Sequence, residues 1–362
     1  MKRNPKIIIS CGGTGGHIFP AIEIAKSIKK IDNLTEVLFV GAINKMEMKK
    51  VPKAGFPIIG IWIQGFYRHS FIKNILFFLK LFISCISAFF ILLIHRPIAV
   101  IGTGGFVSGP VLFIASILGY NTYIQEQNNL PGITNKILGK WVKKVFVAHR
   151  NMDKYFPKNK LYNLGNPVRH NLKSLYMTKK DACSFYGLKE DCVTVLILGG
   201  SLGAEPINKS ISKIMNELFE FNIQLIWQTG SDHFYKYKKF NSNRCSVHDF
   251  IDKMEMAYLA SDIVVSRAGA ITISEICYLK KACILVPSPH VAENHQTINA
   301  KYLSDNNACI LVEEDLLGEK LANGIISLND KNKRNLIAMS ANKLFSYNAA
   351  NDISNMILKD IK

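Results

Sequence analysis

Short apolar runs alternate with stretches of helical periodicity along the whole chain. The apolar runs lie at residues 7–11, 36–42, 56–63, 98–102, 121–125, 145–149, 193–199, 223–229, 247–251, 262–266, 282–287 and 308–313. The intervening stretches repeat apolar residues every three or four positions, as at Ile18, Ile22, Ala25 and Ile28, which is the spacing of one helix face. This alternation predicts an α/β fold with parallel sheets that carry helices on both faces.

The chain divides in the middle. Its 362 residues exceed the size of one ordinary core, and a polar stretch at 151–163 precedes Leu164 to Pro167. We predict two Rossmann-like domains facing each other across a cleft, at residues 1–165 and 166–345. We expect a final helix, at about 346–362, to pack back on the first domain.

Residues 71–94 form the most apolar stretch, and its length is sufficient to span a bilayer. A single span would place the strand–helix units on its two sides in different compartments, although they are expected to share one sheet. We therefore predict a long helix that is partly core and partly membrane-facing, with basic neighbours that meet lipid phosphates. Those neighbours are Arg68, His69, Lys73, Lys80, His95 and Arg96. The alternative is an ordinary buried helix.

The positive charge is concentrated in the first half. Residues 1–165 hold 22 Lys and Arg against 6 Asp and Glu, whereas the remainder holds 23 against 21. Such a field suits nucleic acid, anionic lipid or phosphorylated substrates. The chain has no nucleic-acid recognition motif, so we predict anionic membrane lipid as a partner and no nucleic acid. Eight cysteines without CxxC spacing indicate reduced thiols in a cytoplasmic protein.

Three glycine loops each follow a predicted strand and precede a predicted helix. We call them loop one (Gly12–Gly16), loop two (Gly102–Gly105) and loop three (Gly199–Gly203). Glycines let the backbone approach a ligand closely, and the following helix offers unpaired N–H groups and a positive dipole end. The three loops together predict a site for an oxygen-rich anion, such as a diphosphate.

Several other chemistries fit the sequence poorly. Loop one lacks the GxGxxG spacing, and the second strand ends Val40-Gly41-Ala42 without an acidic residue for a ribose, which disfavours an NAD-dependent oxidoreductase. The chain contains no GxxxxGK[ST] motif and no Asp-x-Asp pair for Mg²⁺ or Mn²⁺. We therefore predict no metal and no cofactor, with leaving-group charge met by helix N-termini, backbone N–H groups and side chains.

Seven segments resemble the MurG family of bacterial UDP-N-acetylglucosamine transferases. They are GGTGGHIFPAIEIA (12–25), GTGGFVSGP (102–110), EQNNLPGITNK (126–136), GNPVR (165–169), LGGSLGA (198–204), SRAGAITISEI (266–276) and PSPHVAENHQTINA (287–300). The resemblance implies a GT-B fold and inverting transfer of GlcNAc to undecaprenyl-diphosphate-MurNAc-pentapeptide, giving lipid II for peptidoglycan synthesis. It also implies peripheral attachment to the cytoplasmic face of the membrane.

The resemblance also assigns roles to single residues, with UDP-GlcNAc as a substrate. Loop one would contact substrate through Thr14, Gly15 and Gly16, and Asn128 would contact the transferred sugar. The remaining matched positions hold the donor: Arg169 and Ser201 near the diphosphate and nucleoside, Ile251 at uracil, Ala270, Ile271, Thr272, Ile273 and Ser274 at a helix start, Glu275 at the ribose hydroxyls, and Gln296 at the sugar hydroxyls.

His17 is the candidate catalytic residue. An imidazole titrates near neutral pH, so uncharged His17 would take the proton from the attacking hydroxyl, and protonated His17 would hold a phosphate. Gln125 stands where the family commonly has His, and an amide cannot act as a base. We predict that Glu126 organises its loop, and the alternative is that it serves as a second candidate base. A related enzyme acting on another lipid or natural-product acceptor remains the alternative function.

Overall fold

A computed structural model describes residues 4–66, 74–169, 172, 176–200, 202–289, 291, 294–346 and 348–361. The chain forms two compact units, one made of residues 1–169 with 346–362 and the other of residues 170–345. The helix that ends the chain is therefore part of the first unit.

The first 169 residues alternate strands and helices. In order they are β1 (Lys6–Ser10), α1 (Gly15–Ile31), β2 (Glu36–Ala42), α2 (Glu47–Lys53), β3 (Ile58–Ile61), α3 (Phe77–His95), β4 (Ala99–Gly102), α4 (Ser108–Ile117), β5 (Asn121–Glu126), α5 (Ile133–Leu138), β6 (Lys144–Val147), a 3₁₀ turn (Lys158–Lys160) and β7 (Leu161–Asn163).

The remaining residues repeat this rhythm. In order they are α6 (Lys179–Phe185), β8 (Val193–Leu198), α7 (Glu205–Glu220), β9 (Ile223–Gln228), α8 (Phe234–Tyr237), a 3₁₀ turn (Lys238–Phe240), β10 (Cys245–His248), α9 (Met254–Ala260), β11 (Ile263–Ser266), α10 (Ala270–Tyr278), β12 (Ala282–Leu285), α11 (His295–Asp305), β13 (Ile310–Leu311), a 3₁₀ turn (Glu314–Leu316), α12 (Leu317–Ser327), α13 (Lys331–Lys343) and α14 (Ala349–Ile361).

The sheet of the first unit is parallel and has the order β3-β2-β1-β4-β5-β6-β7. Strand β1 pairs with β2 on one side and with β4 on the other, where Ile7 lies opposite Ala99. The chain therefore reverses its direction of winding between β1 and β4, and the loops after these strands leave the sheet side by side. Ligands of such sheets bind at this switch point, beyond the carboxyl ends of the strands.

The sheet of the second unit repeats the plan. Its order is β10-β9-β8-β11-β12-β13, again with parallel pairs. The switch point lies between β8 and β11, where Ile263 pairs with Val195. The predicted parallel α/β architecture is confirmed, and in both units a predicted glycine loop leaves the sheet at the switch point.

Helix α14 packs on α1 and completes the first unit. Ile353, Ile357 and Leu358 of α14 are buried in the same core as the inner face of α1. The hydroxyl of Ser27 donates to Asn351 Oδ1 over 2.7 Å. Residues that are more than 300 positions apart in the sequence thus form one hydrophobic core.

Helix α3 buries only a narrow stripe. Ser84, Ala88 and Leu92, spaced four residues apart, are its buried positions, whereas Phe78 and Phe82 are 71% and 65% exposed. Among the described residues α3 is the one helix long and apolar enough to cross a membrane. Its buried stripe, flanked by the partly buried Leu81 and Ile91, attaches it to the first unit, and eight apolar residues of the helix between Phe78 and Ile94 are exposed. The flanking Arg68, His69 and Lys73 lie outside the described residues.

Candidate active site

Loop one turns the chain from β1 into α1. Thr14 is the N-cap in an extended conformation, its hydroxyl makes no capping bond, and the first turn of α1 contains no acidic residue. The backbone bonds to the Thr14 carbonyl begin with the amides of His17 and Ile18. The N–H groups of Gly15 and Gly16 therefore precede the helical ladder, and helix-start amides of this kind bind anions.

A buried carboxylate supports loop one from below. Glu47, the first residue of α2, is fully buried. Its Oε2 accepts the N–H of Gly13 over 3.2 Å, and its Oε1 accepts the N–H of Ala42 over 3.0 Å. A Cβ added to Gly12 would lie 2.3 Å from Glu47 Oε1. The absence of a side chain at Gly12 thus leaves the space that this carboxylate fills.

His17 is held by hydrogen bonds with loop two and with the loop after β5. Its Nδ1 lies 3.0 Å from the Thr103 carbonyl and 3.1 Å from Gln127 Oε1, and the Thr103 hydroxyl donates to the His17 carbonyl over 2.8 Å. Because both neighbours of Nδ1 are acceptors, the neutral ring carries its proton on Nδ1. Its Nε2 then has the lone pair that a general base requires.

The loop after β5, residues 127–132, is organised by one carboxylate. Glu126 accepts the backbone N–H groups of Asn128 and Gly132 and the side-chain amides of Asn128 and Asn135, over 2.8–3.2 Å. The predicted bracing role of Glu126 is confirmed. Gln125 is buried and donates to Asn166 Oδ1 over 3.0 Å.

Arg169 lies at the end of the first unit's continuous segment. Its guanidinium stands 5.0 Å from the ring centroid of Phe19, a residue of α1. This cation–π contact places a permanent positive charge near the first turn of α1. The structure therefore brings Thr14, Gly15, Gly16, His17 and Arg169 to one end of one helix, and Asn128 to the loop two strands along the sheet.

In the second unit, a buried glutamine joins loop three to Ile251, a predicted donor position. Gln228, the last residue of β9, donates from Nε2 to the Gly200 carbonyl over 2.9 Å and accepts the N–H of Ile251 at Oε1 over 3.0 Å. Loop three and Ile251 are thus tied together at the carboxyl edge of the sheet. Ser201, in loop three, lies outside the described residues.

Helix α10 carries the largest predicted donor segment. Gly269 caps it in an extended conformation, and its first turn contains no acidic residue, so its leading amides offer another anion site. Glu275 is 3% exposed, and the hydroxyl of Tyr258 donates to its Oε2 over 3.1 Å. The segment Ala270, Ile271, Thr272, Ile273, Ser274 and Glu275 therefore combines helix-start amides with a buried carboxylate one to two turns further on.

Gln296 lies near the start of α11. Its Oε1 accepts the N–H of Ser288 over 2.9 Å, and Asn299 of the same helix donates to the Ala268 carbonyl over 3.3 Å. These bonds attach α11 to the segments that follow β12 and β11. Gln296 is thus held at the same carboxyl edge of the sheet as the start of α10.

Four residues that support the site were not predicted: Glu47, Thr103, Gln127 and Gln228. Thr103 and Gln228 share a signal, because each is a buried polar residue at the end of an apolar strand. The sequence gives little warning for Glu47, because its partner Gly13 lies 34 positions away.

The chain matches glycosyltransferases over most of its length. The family model of the glycosyltransferase family 28 N-terminal domain matches residues 7–147, and that of the family 28 C-terminal domain matches residues 194–355. With the two parallel sheets and their glycine loops, these matches define a GT-B glycosyltransferase.

Relatives narrow the class. A UDP-N-acetylglucosamine–N-acetylmuramyl-(pentapeptide) pyrophosphoryl-undecaprenol N-acetylglucosamine transferase of Flavobacterium psychrophilum is 45% identical, covering 98% of this chain and 97% of the relative. One of the same name from Christiangramia forsetii is 42% identical over 99% and 98%. The crystal structure of MurG from Acinetobacter baumannii superposes with a TM-score of 0.76, at 26% identity over 98% and 99%. The chain belongs to this transferase family, as its motifs predicted.

The buried carboxylate under loop one gives a first testable prediction. In Glu47→Gln one acceptor oxygen becomes an NH₂ group that faces a backbone N–H. We expect the free energy of unfolding to fall by about 1–3 kcal/mol, because a buried donor loses its partner. Urea denaturation measures it. The control is Glu36→Gln, at an exposed carboxylate paired with Lys6, where the loss of stability should be clearly smaller because solvent screens an exposed ion pair. Equal effects of the two variants would contradict the support role of Glu47.

Proposed function

We propose that the protein transfers GlcNAc from UDP-GlcNAc to the C4 hydroxyl of MurNAc in undecaprenyl-diphosphate-MurNAc-pentapeptide, giving lipid II and UDP. One observation at the start of α1 carries the proposal. The amides of Gly15 and Gly16 lie next to His17, whose Nδ1 faces two hydrogen-bond acceptors. One end of one helix thus offers an anion site and a base together.

The second unit is the proposed donor site. Ile251 meets uracil through its backbone, and the buried carboxylate of Glu275 accepts hydrogen bonds from the ribose hydroxyls. The first turn of α10 faces the diphosphate with its N–H groups. The family resemblance implies that Arg169 and Ser201 lie near the diphosphate and nucleoside. It implies that Asn128 and Gln296 contact the sugar.

The first unit is the proposed acceptor site. Thr14, Gly15 and Gly16 hold chiefly the diphosphate of the lipid acceptor, in the half of the chain that carries nearly all the net positive charge. His17 then lies beside the sugar that this diphosphate bears. The diphosphate and the base are held by the same helix start, which fixes the distance between them.

The chemical step is a single inverting displacement. The C4 oxygen of MurNAc bonds to C1 of GlcNAc while the bond from C1 to the UDP oxygen breaks, and the proton of the C4 hydroxyl passes to Nε2 of His17. The negative charge that develops on UDP is met by the amides at the start of α10. We propose that the step needs no metal ion or other cofactor.

We further propose that α3 docks the enzyme on the cytoplasmic face of the membrane, where its lipid-linked acceptor resides. Phe78, Phe82 and Ile94 are each more than 60% exposed on this helix, and contiguous exposed apolar residues mark sites of contact with a membrane or another protein. Lys80 and Arg96 lie on and beside it and suit anionic headgroups. No nucleic acid is proposed as a partner.

Product analysis tests the reaction. The protein, UDP-GlcNAc and a lipid-linked MurNAc-pentapeptide are mixed, and a disaccharide lipid and UDP are expected in equal amounts. In His17→Ala the turnover should fall by about 10²–10⁴-fold, because the base is lost. Absence of a disaccharide lipid with the unaltered protein would overturn the proposed function, whereas near-normal turnover of His17→Ala would remove only His17 from the mechanism.

Vesicle flotation tests the docking surface. Phe78→Ser combined with Phe82→Ser should lower partition onto anionic vesicles by at least about tenfold, because each buried Phe contributes about 1.5–3 kcal/mol. The matched control is Leu336→Ser, a 68% exposed apolar residue of the second unit, which should partition like the unaltered protein. Equal flotation of the double variant and the control would refute docking through α3.

A further inference from the structure

The side-chain amides of Asn166, Gln125 and Gln127 form a hydrogen-bond network that ends at His17. The bond that Asn166 makes sets which group is the donor and which is the acceptor in each of the following bonds. Asn166 donates from Nδ2 to the backbone carbonyl of Gln127 over 3.1 Å, and a carbonyl can only accept. Asn166 therefore turns its Oδ1 toward Gln125, which donates to it from Nε2 over 3.0 Å. The orientation of Asn166 fixes that of Gln125.

The same arrangement of donors and acceptors continues through Gln127 to His17. Gln125 presents its Oε1 to Gln127 Nε2, and Gln127 Nε2 also donates to the Thr103 carbonyl over 2.6 Å. Both hydrogens of that NH₂ group are thus used, and the acceptor Oε1 is the end that faces His17 Nδ1, 3.1 Å away. An acceptor at this place requires Nδ1 to be the donor.

The amide network is buried, so exchanging its donors and acceptors would be costly. Thr103 and Gln125 have no exposed surface, Gln127 is 1% exposed and Asn166 is 3% exposed. Turning any one amide over would bring two donors or two acceptors face to face, away from water that could replace the lost partner. The network therefore has one favourable arrangement.

We propose that Gln127, oriented by Gln125 and Asn166, is a positioning residue that holds neutral His17 as the Nδ1–H tautomer and keeps Nε2 as the basic nitrogen. This inference rests on the proposed function, in which His17 accepts the proton of the acceptor hydroxyl. The Thr103 carbonyl, 3.0 Å from Nδ1, reinforces the tautomer, and the two acceptors together fix the rotation of the ring.

The partner of the base is an uncharged amide. A carboxylate in this place would stabilise the imidazolium, whereas an amide orients the ring without adding negative charge. The charged groups around the site are Glu47 under loop one, Glu126 at the end of β5 and Arg169 near the first turn of α1, and His149 is hydrogen-bonded to the backbone of Gln127. Burial lowers the pKa of His149 to about 4, so His149 adds no charge near neutral pH.

Nitrogen-15 NMR of histidine-labelled protein tests the tautomer directly. The His17 signals are identified by their loss in His17→Gln. Above the acidic limb of the activity profile we expect a protonated Nδ1 and an unprotonated Nε2. A protonated Nε2, or an even mixture of the two tautomers, would overturn the inference without bearing on whether the protein makes product.

Two variants of Gln127 test its part in setting this state. In Gln127→Met, kcat should fall about 10- to 100-fold from misplacement of the base, the Nδ1–H tautomer should lose its dominance, and the KM for UDP-GlcNAc should stay within about threefold. In Gln127→Glu, the acidic limb of the kcat/KM profile should move up by about one pH unit or more, because a carboxylate favours the imidazolium.

The matched control is Gln224→Met, which removes a buried amide that bonds Lys189 and Thr194 in the second unit. It should leave the pH profile and the His17 spectrum unchanged. Wild-type kcat and an unchanged His17 spectrum in Gln127→Met would refute the positioning role. Failure of the unaltered protein to form a disaccharide lipid would refute the proposed function instead, and the tautomer measured by NMR would still stand or fall by itself.

Discussion

The first unit depends on how closely loop two approaches loop one at the switch point of its sheet. A Cβ added to Gly105, whose φ is +81°, would lie 2.2 Å from the Gly12 carbonyl oxygen, so only glycine permits this contact. The same approach brings the Thr103 carbonyl to His17, and the absence of a side chain at Gly12 leaves room for Glu47. In the second unit Gly203 stands in the same relation to the Thr229 carbonyl, 2.1 Å from an added Cβ.

Buried polar side chains convert this backbone geometry into chemistry. Glu47, Glu126 and Gln228 each satisfy backbone or side-chain groups of loops that leave the sheets at their carboxyl edges. Each would be costly to bury alone, and each is stabilised by its partners. Rigid loops then hold the helix-start amides and His17 in place before a substrate arrives, as electrostatic catalysis requires.

The sequence was most informative where the physics is local. The periodicity of apolar residues predicted twelve strands and the parallel α/β architecture, and the glycine loops marked the switch points. Strand β7 was missed, because Leu161–Asn163 is three residues long within a polar stretch and pairs with β6 only in the folded sheet. Glu126 was predicted to organise its loop because it lies in the polar cluster Gln125 to Asn128, and its partners in the structure follow within nine positions.

The partners of His17 and Glu47 could not be read from the chain in the same way. Thr103 and Gln127 are 86 and 110 positions from His17, and nothing in local spacing pairs them. The exposed fraction of α3 could not be predicted from the sequence either, because an apolar helix has the same sequence pattern whether protein or membrane covers it. The predicted docking role of α3 stays a proposal that its exposed phenylalanines support.

The central claim is a division of labour, with the acceptor diphosphate at the start of α1 and the nucleotide in the second unit. Hydrogen–deuterium exchange tests it most directly. UDP alone should slow exchange at Ile251 and at Ala270 to Glu275, whereas a short-chain prenyl-diphosphate-MurNAc-pentapeptide should slow it at Gly13 to His17. Protection of Gly13 to His17 by UDP, with the start of α10 unchanged, would contradict the account.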